Sequence, residues 1–121
     1  MISESFTENG LTLELAAAQD VVLTWRGKST ARDPAAFVLP VLMKALDQGV
    51  REAKRVIIDF RNLEYMNSST ITPLIRILSM AQRGDVRVTV MYDSKLRWQE
   101  LSFTALEIFE TDDKRVEICS V

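Results

Sequence analysis

Histidine is absent from this 121-residue chain, cysteine occurs once and glycine only four times. The first absence removes the usual general base near neutral pH. It also removes the Ser-His-Asp and Cys-His nucleophile systems and every histidine-containing metal site. Cys119, alone, can form neither an internal disulfide nor a thiolate cluster. No apolar run approaches the length of a membrane span. The start Met1-Ile2-Ser3-Glu4-Ser5 lacks the basic residues and apolar stretch of a signal peptide. A net charge of −2 supplies no excess of cations for a nucleic-acid backbone. These absences lead us to expect a cytoplasmic protein that is not an enzyme, with no cofactor, no metal, no nucleic acid and no membrane among its partners.

What is present fits one domain over 1–121, with 47% hydrophobic and 26% charged residues. Leu11, Leu13 and Leu15 alternate with polar residues, and Val21-Val22-Leu23-Thr24-Trp25 is β-branched and aromatic. Together they predict a hairpin turning at 17–20. A turn is expected over 27–31, and Asp33-Pro34 reads as an N-cap followed by a first-turn proline. Val38, Val41, Leu42, Ala45 and Leu46 then follow at helical spacing, ending at Gly49 or just beyond, with a kink expected at Pro40.

The run Val56-Ile57-Ile58-Asp59-Phe60 predicts a central strand covered on both faces. Ile71, Leu74, Ile75, Leu78 and Ala81 predict a second helix. Val86, Val88, Val90 and Tyr92 predict a strand, Trp98, Leu101, Ala105, Ile108 and Phe109 a third helix, and residues 116–121 a last strand. The order β-β-α-β-α-β-α-β implies an α/β fold. We expect a small mixed sheet with an N-terminal hairpin and parallel, right-handed β-α-β crossovers. Its functional edge should lie where the loops 27–32, 62–69 and 93–95 leave the carboxyl ends of the strands.

Gly27-Lys28-Ser29-Thr30 suggests a phosphate-binding loop, but Val22 stands where that motif needs its first glycine. A turn is the simpler reading. Asn67-Ser68-Ser69-Thr70 sets four residues able to cap a helix in a row, more than one helix end requires. With Pro73 confined to the first turn, the cap should fall at Ser69 or Thr70. That leaves the Ser68 hydroxyl exposed near free backbone N–H groups. A phosphate there would meet the positive end of the helix dipole. The alternative is a redundant polar helix start. Ser68 as a nucleophile lacks an adjacent base, and nothing in the spacing supports Lys28 or Lys95 in that role. Tyr92-Asp93 closes a strand on the same edge, either finishing the core and capping a helix or touching a partner.

The stretch Ile58-Asp59-Phe60-Arg61-Asn62-Leu63-Glu64-Tyr65-Met66-Asn67-Ser68-Ser69 resembles the phosphorylation segment of STAS domains of the anti-sigma-factor antagonist type. Asn67 replaces the usual Asp, and Thr70 the usual Gly. Both changes are closer to the SiaC-like branch of regulatory phosphoproteins. Gly27-Lys28-Ser29, Phe37 with Pro40, and Tyr92-Asp93 resemble further motifs of that branch, in the same order.

The resemblance implies a STAS-like fold and a partner-switching role, with Ser68 as the phospho-acceptor and Ser69 as the alternative. It implies a serine/threonine kinase of histidine-kinase fold, an opposing PP2C-type phosphatase, and a target such as an anti-sigma factor or a diguanylate cyclase. Asn67, Ser69, Thr70, Gly27, Ser29, Tyr92 and Asp93 would then form the contact surface. Two alternatives stay open: a STAS-fold scaffold that binds constitutively, and a small enzyme using Asp59, Glu64 or Asp93 as acid or base.

Overall fold

A computed structural model describes residues 2–121, and side chains from residue 3; Met1, the first residue of the amino-terminal stretch expected to lack a signal peptide, lies outside the described residues. The strands are β1 (Ile2–Glu8), β2 (Leu11–Ala17), β3 (Val21–Ser29), β4 (Val56–Asp59), β5 (Leu63–Met66), β6 (Val88–Tyr92) and β7 (Val116–Ser120). The helices are α1 (Ala35–Glu52), α2 (Ile71–Arg83) and α3 (Arg97–Thr104), with 3-10 turns at Ser68–Thr70 and Ala105–Phe109. All seven strands join one mixed sheet of order β1-β2-β3-β4-β6-β7, and β5 pairs with β3. The β1-β2-β3 meander is antiparallel, and every later pairing is parallel. The chain is therefore α/β with an N-terminal antiparallel part, as its periodicities imply.

Two strands exceed the sequence reading. β1 is joined to β2 by Asn9 and Gly10, both at positive φ, the two-residue type I′ turn that suits the twist of a hairpin. β5 occupies what reads as loop: Gly27, Lys28 and Ser29 pair with Leu63, Tyr65 and Met66. The turn expected over 27–31 is thus strand as far as Ser29. Skipping Glu64 makes a bulge, so Leu63 and Met66 face inward while Glu64 and Tyr65 face out.

Strands β3, β4, β6 and β7 advance across the sheet in one direction, so right-handed crossovers set all three helices on one face. Under them lie the rows Val21, Val56, Val88, Val116 and Leu23, Ile58, Val90, Ile118, all buried. The expectation that β4 is covered on both faces fails. The other face holds the rows Val22, Ile57, Thr89, Glu117 and Thr24, Asp59, Met91, Cys119, with Val22 and Ile57 only half-buried.

The helices show smaller departures. Pro34 is the N-cap of α1, one residue later than expected, with no side-chain cap. Its carbonyl accepts from Phe37 and Val38 N–H at 3.0 and 2.8 Å. The helix runs through Pro40 to Glu52 and ends on Ala53 in the left-handed region. On α2, Ile77 joins the buried stripe and Ile75 is exposed. On α3 the buried residues are Gln99 and Phe103, followed by Leu106, so the stripe read through Leu101, Ala105 and Ile108 faces solvent.

Candidate functional site

The carboxyl edge of the sheet is built from a bent strand. Gly27 sits at φ +86°, and a Cβ there would collide with the Gly10 carbonyl oxygen, which accepts from Lys28 N–H at 3.1 Å. Gly27 is thus required by the backbone. Beyond it, β3 continues inward to Ser29, which is buried.

Asn67 organises the turn between β5 and α2. Its N–H donates to the Ser29 carbonyl at 3.0 Å, and its Nδ2 donates to the Ala31 carbonyl at 2.9 Å. That leaves Oδ1 as acceptor, for Thr70 N–H at 3.2 Å and Thr70 Oγ1 at 2.7 Å. Thr70 Oγ1 also lies 2.7 Å from Ser29 Oγ, and both residues are buried. Since Thr70 gives its proton to Asn67, Ser29 must donate to Thr70. Asn67 is therefore the N-cap of the 3-10 turn and supplies its side-chain cap, while the N-cap of α2 itself falls at Thr70, one of the two positions expected, with no side-chain cap of its own. Burial of Leu74, Ile77 and Leu78, worth about 1.5–3 kcal/mol each, outweighs a missing cap of about 1 kcal/mol.

This arrangement sorts the expected contact residues. Ser29 and Thr70 are internal braces, unavailable to a partner. Ser68 and Ser69 are exposed at the first turn. Among the described residues, neither hydroxyl has a hydrogen-bond partner, and neither N–H has a backbone acceptor. Asn67 is half-buried. Tyr65, 49% exposed, stands beside Lys28 on the outer side of β5.

Tyr92 and Asp93 belong to a neighbouring structure. The Tyr92 ring is buried and stacks on Phe103 at 5.7 Å, so it completes the core. Phe103 also packs on Phe60 at 4.6 Å, and Phe60 on Trp25 at 4.7 Å. Asp93 Oδ1 accepts from Lys95 N–H at 2.9 Å and shapes the loop, while Leu96 is the N-cap of α3. Neither residue hydrogen-bonds to the turn at 67–70.

The residue that joins these regions is Gln99, which sequence reasoning missed. It is fully buried, accepts from Asp93 N–H at 2.8 Å, and donates from Nε2 to the Phe60 and Leu63 carbonyls at 2.6 and 3.0 Å. It thereby satisfies the backbone where β4 gives way to β5. A glutamine between a tryptophan and an exposed glutamate gives no signal of this in sequence.

Of the three carboxylates considered for acid-base work, Asp59 is the most buried. Burial pushes its carboxyl up, but the side chain and N–H of Arg61, bonding at 2.8–3.0 Å, outweigh that and hold it below the usual range. Asp59 in turn raises the Arg61 guanidinium, aided by the charge of Asp93. An aspartate held ionised this way suits a structural ion pair better than proton transfer. Among the described residues no group of three or more His, Cys, Asp or Glu could hold a metal, and no helix is long and apolar enough to cross a membrane. The chain matches no protein-family model and no curated protein.

Proposed function

We propose that this chain is a bacterial regulatory phospho-acceptor module in a partner-switching pathway. On this reading it is STAS-like, nearest to the SiaC-like branch, and Ser68 is the modified residue. The observation that supports this is a division of labour in one turn. Asn67, Thr70 and Ser29 do the capping, and the Ser68 hydroxyl is left exposed with no structural task. The Ser68 and Ser69 N–H groups lack backbone acceptors, so a phosphate would find donors and the positive end of α2. It would add about −1.5 to −2 charges. At the centre of a partner surface, that charge would weaken the contact.

The kinase of histidine-kinase fold, the PP2C-type phosphatase and a target such as an anti-sigma factor or diguanylate cyclase rest on the sequence resemblance alone. ATP belongs to the kinase on this reading. Cytoplasmic residence follows from the same proposal.

The test is intact-mass analysis of the protein from its host before and after phosphatase, with target affinity for wild type, Ser68→Ala and Ser68→Asp at one salt concentration. We expect one phosphate, absent from Ser68→Ala. Ser68→Asp should lose about tenfold to a hundredfold in affinity, or about 1–3 kcal/mol. Full phosphorylation of Ser68→Ala would move the site to Ser69 or elsewhere. Equal affinities for all three would favour the constitutive scaffold.

A further inference from the structure

Helix α3 has two apolar faces, and the fold uses only one. Leu101 is 64% and Ile108 80% exposed, with Ala105 exposed between them. Advancing about 100° per residue in α3 and about 120° in the 3-10 turn brings these three within about 40° of one another. The same count sets Gln99, Phe103 and Leu106 on the opposite side, where they are buried. Half-buried Trp98 borders the outer stripe near its start. A single exposed leucine needs no explanation, but an aligned stripe does.

The charges beside the stripe select what can cover it. Glu100 and Glu107 lie along one border, both exposed, and among the described residues neither forms an ion pair. Arg97 stands only at the head of α3. A second copy docked antiparallel about a two-fold axis would set the two glutamate borders side by side. An anionic lipid surface would meet the same repulsion. The complement is a helix whose own apolar stripe is flanked by lysine or arginine.

We propose that the outer face of α3 and the turn after it is a docking surface for a basic amphipathic helix of a partner protein. Leu101, Ala105 and Ile108 seat its apolar residues, and Glu100 and Glu107 pair with its cations. This surface is independent of the Ser68 reading and survives its failure.

The test pans the full chain against a displayed library of short amphipathic helices. Their apolar stripe is fixed, and their flanking positions vary among Lys, Arg, Glu and Ser. We expect lysine- and arginine-flanked helices to be enriched and their affinity to fall about tenfold or more for Leu101→Asp and for Ile108→Asp. Both changes are at exposed positions, and unchanged circular dichroism would verify folding; Leu101→Ser, with no new charge, should weaken binding in the same direction. Glu100→Lys with Glu107→Lys should reverse the flank preference. The proposal is overturned if nothing is enriched, if acidic flanks do equally well, or if the binders keep full affinity for the aspartate variants. A dimer in sedimentation that Leu101→Asp abolishes would also overturn it, by naming a second copy as the occupant.

Discussion

Ser29 Oγ and Thr70 Oγ1 meet at 2.7 Å in a buried position, and the proton between them belongs to Ser29. The direction matters because the two partners are then not equivalent. Thr70→Val strands the Ser29 hydroxyl and removes a donor from Asn67, so it should cost about 1–3 kcal/mol. Ser29→Ala leaves Thr70 still bonded to Asn67 and should cost about 1 kcal/mol or less. The double variant should be little worse than Thr70→Val alone. Urea denaturation checks this; equal and additive losses would refute the assigned direction.

Asn67 and Ser68 should differ sharply in what they contribute to the fold. Asn67→Ala loses the cap and the link to the Ala31 carbonyl, for about 1–2 kcal/mol of stability. Ser68→Ala removes only an exposed hydroxyl and should stay within about 0.5 kcal/mol of wild type. Thermal melts of the two variants give the comparison. A large loss for Ser68→Ala would show that the hydroxyl has a structural role after all.

Gln99→Leu keeps much of the side-chain volume but takes their Gln99 partner from the Leu63 carbonyl and the Asp93 N–H, and leaves the Phe60 carbonyl only its bond from Leu63 N–H. We expect a loss of about 3–5 kcal/mol, well above the cost of a typical substitution. Hydrogen exchange should quicken at Asp93 and through β5 before it does in β4. Uniform loosening of the whole sheet would contradict a local role.

Asp59 gives the pH dependence its sign. Its carboxyl is lowered in the folded chain, and its unfolded value is about 3.9. The unfolded state therefore binds more protons as pH falls, and the stabilisation is complete above about pH 4 and lost below it. Asp59→Asn should lower stability at neutral pH and flatten the acid limb in urea titrations. Some slope should remain, since Asp113 and Glu52 are also lowered, by side-chain hydrogen bonds led by Thr111 and Lys54 respectively. An acid limb identical to wild type would assign the effect elsewhere.

The sequence disclosed the elements whose burial follows a regular period. Strands β2, β3 and β4 and the inner stripe of α1 lie where alternation and helical spacing put them. It hid β5 because the bulge at Glu64 breaks the period of two, leaving Tyr65 out of phase with Leu63. It misled at α3 because that helix carries apolar residues on both sides, and spacing alone cannot say which side the sheet will take. At the candidate site, residues 67–70 showed their capping chemistry in plain view. Which of the four would cap depended on Ser29 and Ala31, contacts that no local pattern encodes.

Asn67 and Thr70 are fixed by Ser29 and Ala31, and Ser29 and Thr70 are 41 residues apart in the chain. A chain growing from its amino end therefore completes β3 long before it holds anything that Ser29 can bind. Local helix formation can start α2, but the turn around Ser68 takes its final shape only after that long loop closes and β5 docks. An enzyme that reads the shape of this turn, and not merely its sequence, would pass over nascent and misfolded copies. If Ser68 is modified as proposed, the modification would then mark only molecules that have finished folding.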